Sequence, residues 1–347
     1  MAKSFDASSC HDLGLHRVLA PEFALPQAAE KLDATSPTAA NEIAIDVHTL
    51  NIDSASFHQI LGEVGRDEER VAARIREIVT ARGKMQNPVT GSGGMLLGKV
   101  VEAGEDYRGP VKVGDMVASL VSLTLTPLRI DAIEKVHLDA DQVDISGRAY
   151  LWPSSPIVVL PEDMDARLAL SALDVCGAPA QTKRLVEGAR NVLILGMGKS
   201  GMLCAAAARE ALGKDGRIMA IDLRDQNMTA LKEAGILDDF REGDARNPVQ
   251  ILSLVEEMTG GPLCELVVNT CNIDHTEMSA ILPCKDRGKV YYFNMATSFA
   301  RAALGCEGVG KDIDLYIGNG YATGHAELTL DLVRRHSIIA EQIKLLG

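Results

Sequence analysis

At 347 residues the chain exceeds what one hydrophobic core usually serves, so two domains are expected. Hydrophobic residues at 46% and charged residues at 24% are the balance of a folded soluble protein, which leaves little room for long disorder. A formal net charge of −13 repels nucleic acid and anionic lipid, argues against both as partners, and favours a cationic small molecule.

Residues 1–23 lack the uninterrupted apolar core of a signal peptide. Apolar runs such as Cys204 to Ala208 are far too short to cross a bilayer. The seven cysteines form no C-x-x-C pair, so neither a disulfide framework nor a structural zinc site is indicated, and a cytoplasmic chain with reduced thiols is expected. Residues 1–40 are loop-rich, punctuated by Pro21, Pro26 and Pro37. The alternation over 42–47 predicts a strand with Ile43, Ile45 and Val47 on one face. Residues 67–82 read as a helix with Asp67 as N-cap, Val71, Ile75, Ile78 and Val79 at helical spacing, and Gly83 closing it. Glycines mixed with β-branched residues over 91–104, then a turn-like 113–117, suggest a small β-rich domain resembling a partly closed barrel.

After about residue 160 strands alternate with helices. Strands are expected at 191–196, 217–222, 265–270 and 288–293, and helices at 199–212, near 225–234 and near 248–258. Such alternation gives a parallel sheet covered on both faces. The last stretch, 322–346, reads as helical on Leu328, Leu332, Ile339, Ile343 and Leu346. The α/β half also holds the strongest chemical signal, Gly196-Met197-Gly198-Lys199-Ser200-Gly201. It follows an apolar strand and opens an alanine-rich helix, whose positive end suits a pyrophosphate. Gly196 permits the turn, Gly198 lets a phosphate reach the backbone, and Gly201 lets helix and sheet approach. Lys199 and Ser200 stand in the same turn. A Walker A reading fails, because Leu193 stands where a glycine is required. Asp222, ending the next strand, suits both hydroxyls of an adenosine ribose, which favours NAD over NADP; Arg224 keeps NADP open. Asn269 and Thr270, and Phe293 and Asn294, end later strands, where ligands of open parallel sheets collect. Each is a candidate cofactor contact or a strand-end residue bonded to its own backbone.

In this order of parts the chain resembles the medium-chain dehydrogenase/reductase superfamily. The resemblance implies a β-rich GroES-like catalytic domain at 1–160, completed by 320–347, and a Rossmann domain at 161–319. The superfamily's Gly-His-Glu-x-x-Gly reads Gly93-Gly94-Met95-Leu96-Leu97-Gly98 here, and 50–54 (Leu-Asn-Ile-Asp-Ser) replaces its early zinc cysteine. Cys176 stands at the third zinc-ligand position, and its other reading is a small buried residue. One thiolate does not make a site that needs three ligands, so no metal is expected. The segments 16–21, 50–60 and 91–104 are similar to the L-erythro-3,5-diaminohexanoate dehydrogenase family. That similarity implies NAD-dependent oxidative deamination of (3S,5S)-3,5-diaminohexanoate to (S)-5-amino-3-oxohexanoate, with release of ammonia, in lysine degradation.

Such chemistry needs a base for the ammonium proton and for water. Asp53 leads, in the segment that faces the nicotinamide in related folds; its other reading is a turn residue bonding backbone amides. His58 and Glu102 are further catalytic candidates, with solvent-facing roles as their alternatives. Asn51, Ser54 and Cys176 are candidate substrate contacts. Arg129 and Arg301 are candidates for the substrate carboxylate, or surface ion-pair partners. Two other functions stay open: a zinc-independent NAD(P)H-dependent quinone or enone reductase, and a non-catalytic dinucleotide-binding sensor. A homo-oligomer is expected, with 288–293 and 311–318 at a sheet edge that pairs between subunits.

Overall fold

The computed structural model describes residues 10–120, 122–225 and 227–346. Residues 1–9 of the loop-rich opening lie outside the described residues. The chain divides into two compact units, the first running to Asp174 and the second over Val175–Leu346.

The first unit opens with a short antiparallel pair, β1 (Val18–Ala20) and β2 (Lys31–Leu32). Then come β3 (Ile43–Ile52), α1 (Ser54–Val64), α2 (Glu68–Arg82), β4 (Gly94–Ala103), β5 (Met116–Ser119), β6 (Leu128–His137), β7 (Gln142–Leu151), β8 (Ile157–Val159) and α3 (Ala166–Leu173). The sheet order is β6-β7-β3-β4-β5-β8, antiparallel throughout. Ile43, Ile45 and Val47 are buried as the alternation required. β3 nevertheless outruns 42–47, because a register shift between Val47 and Thr49 restarts the pairing, after which Leu50, Asn51 and Ile52 are all buried. α2 forms where expected: Asp67 accepts from the Arg70 backbone N–H at 3.0 Å and Gly83 closes the helix at φ 64°. The loop before β3 is clamped by Arg17, fully buried, whose guanidinium donates to both Glu42 carboxylate oxygens and to the carbonyls of Asp33, Ser36 and Pro37. It stacks 4.0 Å over the Tyr150 ring, and His16 completes the cluster 2.7 Å from Glu42. Burial raises the Glu42 carboxyl, but Arg17 and His16 outweigh it and hold the group below its ordinary range.

The second unit runs α4 (Gly177–Leu185), β9 (Asn191–Leu195), α5 (Lys199–Leu212), β10 (Arg217–Asp222), α6 (Met228–Glu233), β11 (Asp239–Glu242), α7 (Pro248–Thr259), β12 (Cys264–Asn269), α8 (Glu277–Ile281), β13 (Cys284–Tyr292), α9 (Phe299–Val309), β14 (Asp314–Ile317), α10 (His325–Arg335) and α11 (Ser337–Leu345). Its parallel sheet has the order β11-β10-β9-β12-β13-β14. This is the doubly wound arrangement, with its direction of growth reversing between β9 and β12. Residues 320–346, expected to complete the first domain, fall within this unit, where α10 and α11 pack on α4 and α5. The single helix expected over 322–346 is two, because His336 leaves helical geometry at φ −116° and ψ 88°.

Candidate functional site

In the second unit the glycine turn sits at the reversal point of the sheet. Gly196 has φ 84°, which a side chain would strain, and a Cβ there would lie 3.1 Å from the Cys271 backbone N. A Cβ on Gly201 would lie 1.9 Å from the Gly196 carbonyl oxygen, so helix and strand meet only because that residue is glycine. Gly198 is different. No atom lies within 4 Å of where its Cβ would be, so the backbone at the α5 N-terminus faces open space. An open, positively polarised helix end of this kind fits a pyrophosphate. Lys199 and Ser200 occupy the first turn of α5, half-buried.

Asp222, at the carboxyl end of β10, turns towards the same loop. Its Oδ2 accepts from the Met197 N–H at 2.5 Å and its Oδ1 from the Leu223 N–H at 2.6 Å. Each oxygen keeps acceptor capacity for a ribose hydroxyl. Asn227, which the sequence reading did not single out, donates to the Met197 carbonyl at 2.6 Å and fixes the turn from below. Arg224 is exposed two residues beyond Asp222. Thr270 donates to the Gly196 carbonyl at 2.9 Å, bracing the turn. The Asn269 side chain is fully buried and committed to Thr276 and to the Cys271 N–H. Asn294 likewise bonds to the Asn269 carbonyl and Thr297, and Phe293 donates its N–H to the Asn269 carbonyl. These three order the strand ends. Cys176 is buried at the start of α4. The adjoining Gly177 packs against the loop at 319–320, which Gln181 ties through the Asn319 and Tyr321 carbonyls.

In the first unit Asp53 precedes α1, yet its carboxylate does not cap that helix. Oδ2 instead accepts from the Gly93 N–H at 2.9 Å. The Asp53 N–H returns to the Gly93 carbonyl at 3.2 Å. Gly93, just before the Gly94 and Met95 that stand in place of the superfamily's histidine and glutamate, therefore positions a carboxylate. Gly93 allows this because a side chain there would lie 2.6 Å from the Met85 carbonyl. Burial pushes the Asp53 carboxyl above its ordinary range, with the Gly93 hydrogen bond opposing. Ser54 donates to Asp141 at 2.5 Å, bringing a second carboxylate to the start of α1 from the turn between β6 and β7. Asn51 is buried and accepts from Gln142 at 3.1 Å.

The other sequence candidates are engaged with partners of their own. His58 is exposed and its Nδ1 bonds back to the Ser54 carbonyl at 2.8 Å. Glu102 sits near the far end of β4, roughly 27 Å along the strand from Gly94 at about 3.4 Å per residue. There it accepts from Thr38. Arg129 pairs with Asp131, and Arg301 with Glu277 and Asp274. Asp141 was missed. Among the described residues no group of three or more His, Cys, Asp or Glu side chains is arranged to hold a metal, and no helix is long and apolar enough to cross a membrane.

An antiparallel GroES-like unit followed by a doubly wound Rossmann unit is the architecture of the medium-chain dehydrogenases and reductases. Solved structures agree on that fold. The CurK enoyl reductase matches with a TM-score of 0.55 at 17% identity, over 91% of this chain and 81% of its own. An alcohol dehydrogenase from Thermotoga maritima matches with 0.55 at 15%, over 88% and 85%. A mycobacterial structure complexed with NADPH matches with 0.55 at 16%, over 91% and 90%. At the sequence level, residues 16–161 match the family model described as the L-erythro-3,5-diaminohexanoate dehydrogenase N-terminal domain. The L-erythro-3,5-diaminohexanoate dehydrogenase of Acetoanaerobium sticklandii is 50% identical over 94% of this chain and 96% of its own length. That of Fusobacterium nucleatum subsp. nucleatum is 48% identical over 94% and 96%. The chain belongs to the L-erythro-3,5-diaminohexanoate dehydrogenase family. It is an oxidoreductase that works with a nicotinamide cofactor on a small-molecule substrate.

Proposed function

We propose that the chain catalyses NAD-dependent oxidative deamination of (3S,5S)-3,5-diaminohexanoate to (S)-5-amino-3-oxohexanoate, releasing ammonia, as a step of lysine breakdown in the cytoplasm. The observation that carries the substrate is the 50% identity, spread over 94% of the chain, to a relative bearing that name. The site chemistry supports it. A substrate with two ammonium groups suits a chain of net charge −13 and the carboxylates Asp53 and Asp141 at the start of α1.

NAD, when bound, supplies the hydride acceptor. Gly196, Gly198 and Gly201 with the α5 N-terminus hold its pyrophosphate, and Asp222 holds the adenosine ribose. A 2′-phosphate would meet the Asp222 carboxylate, which favours NAD over NADP and weighs against the NADPH-dependent enone reductase reading. Asp53 takes the proton from the C3 ammonium, whose free amine then pushes hydride out of C3. The resulting iminium carbon is electrophilic without further activation, and Asp53 deprotonates the water that adds to it. The raised Asp53 carboxyl is suited to that exchange, since a base closer to neutrality both takes and returns a proton. Asp141, through Ser54, contributes negative charge for the C5 ammonium. We also propose that the chain works as a homo-oligomer paired through the β14 edge.

The test is NADH formation by the purified protein with NAD and (3S,5S)-3,5-diaminohexanoate, with ammonia measured alongside. Equimolar NADH and ammonia support the assignment. NAD binding without turnover of this substrate overturns it.

A further inference from the structure

A second acidic loop stands beside Asp222. β10 and β11 run parallel in a register that sets Asp222 against Glu242, and the Gly243 N–H donates to the Asp222 carbonyl at 2.8 Å. The loop after β11 therefore leaves the sheet at the carboxyl edge where the proposed function puts the adenosine ribose. Gly243 is buried, and a Cβ there would lie 2.9 Å from the Leu254 side chain and 3.1 Å from that of Ile221, so the loop is pressed against the sheet. Asp244 follows, tied at both backbone ends. Its N–H donates to the Gln250 side chain at 3.4 Å, and its carbonyl accepts from the Asn247 N–H at 2.8 Å. Its carboxylate is committed to Arg246. Oδ1 accepts from the Arg246 backbone N–H at 2.9 Å and from Nε at 3.0 Å, while Oδ2 accepts from Nη2 at 2.7 Å. Those bonds hold the Asp244 carboxyl down, at about 2, so the pair is ionised throughout the range of an enzyme assay.

A 2′-phosphate is gripped by guanidinium groups that fork onto its oxygens. Two exposed arginines stand on the loops that follow β10 and β11, Arg224 and Arg246. In Arg246 the donors of one fork, Nε and Nη2, are both already on Asp244. Resting on the reading of Asp222 as the ribose contact, we propose that Asp244 is a second specificity-determining residue for the cofactor. It closes Arg246 into an ion pair and so withholds from a 2′-phosphate the guanidinium that would receive it. Asp222 repels such a phosphate directly, and Asp244 denies it a cation. NAD, with only hydroxyls on that ribose, needs nothing from Arg246. An exposed ion pair is weak when two free side chains must be ordered to make it. Here the backbone N–H of Arg246 holds the carboxylate in place beforehand, so a phosphate has to displace a partner that is already oriented.

The experiment measures binding to the cofactor-free, full-length protein by calorimetry. The probes are adenosine 2′,5′-bisphosphate and 5′-AMP, which differ in the 2′-phosphate alone. Asp244→Asn keeps an acceptor for the Arg246 N–H and loses the charge. It is expected to bind the bisphosphate roughly tenfold more tightly than the parent at low ionic strength, with 5′-AMP affinity within about twofold. The gain shrinks as salt is raised. Adding Arg246→Ala to Asp244→Asn removes it, since the freed guanidinium is its source. Asp244→Ala gives the same pattern and keeps the test open if Asp244→Asn misfolds. Parent-like affinity for the bisphosphate in both Asp244 variants overturns the proposal. So does a gain that survives in the double variant, because Arg246 then plays no part. Asp222→Ser separates this from the underlying reading. Unchanged NAD affinity in that variant overturns Asp222 as the ribose contact and the proposal together. Weakened NAD binding in Asp222→Ser, beside unresponsive Asp244 variants, overturns the role of Asp244 alone.

Discussion

Asp53 carries a cost that shows outside catalysis. Burial raises its carboxyl in the folded state, so the ionised side chain opposes folding once it forms. The sign follows: a raised folded value means stability that is whole below the unfolded carboxylate range and is lost as pH rises through the folded value. Asp53→Asn has no charge to form, and its amide oxygen can still accept from Gly93. The variant is therefore expected to melt with the parent at acid pH and above it at neutral pH, while kcat falls by about 10²–10⁴. Thermal melts across the pH range check the first part, and a gap that shrinks as pH rises contradicts it. Asp222 makes a different prediction. Losing its charged hydrogen bonds to the ribose costs about 2 kcal/mol, so Asp222→Ser should raise the KM for NAD roughly thirtyfold and narrow the preference over NADP. Steady-state kinetics with both cofactors read it, and an unchanged preference would count against the assignment. Both carboxylates were candidates from the sequence alone, because each stands beside a recognisable motif. The partner of Asp53 was not. Gly93 is 40 residues from Asp53, so the contact exists only once loop and helix are folded together.

At the scale of elements, legibility followed how local the governing physics is. The glycine turn, the N-cap of α2 and the Rossmann strands are set by neighbouring residues and were readable. β6 and β7 were not foreseen, because β6 is buried mainly at its ends and its middle mixes Asp131, Glu134 and Lys135 with Ile130 and Ile133. The break between α10 and α11 was hidden by apolar residues that keep helical spacing across His336. Glu102 looked close to the chemistry in sequence, but the length of an extended strand takes it away. One element carries its own prediction. β14 ends the parallel sheet, paired with β13 alone, and exposes Tyr316 and Ile317, while α9, the preceding element in the chain, exposes Phe299 and Leu304. The proposed pairing of β14 with a second copy would cover that edge. Tyr316→Lys with Ile317→Lys should reduce the mass in light scattering to a single chain, and an unchanged mass places any subunit contact elsewhere.

For the whole molecule the account joins three facts: a medium-chain dehydrogenase architecture, an acidic chain with carboxylates gathered at the start of α1, and half identity to named diaminohexanoate dehydrogenases across nearly the entire length. The measurement that bears on their common conclusion is steady-state oxidation of (3S,5S)-3,5-diaminohexanoate by the purified protein, following NADH and ammonia together and repeating the assay with NADP. Equal yields of NADH and ammonia, with NADP much the poorer cofactor, are the expected result. Tight NAD binding with no oxidation of this substrate would contradict the account.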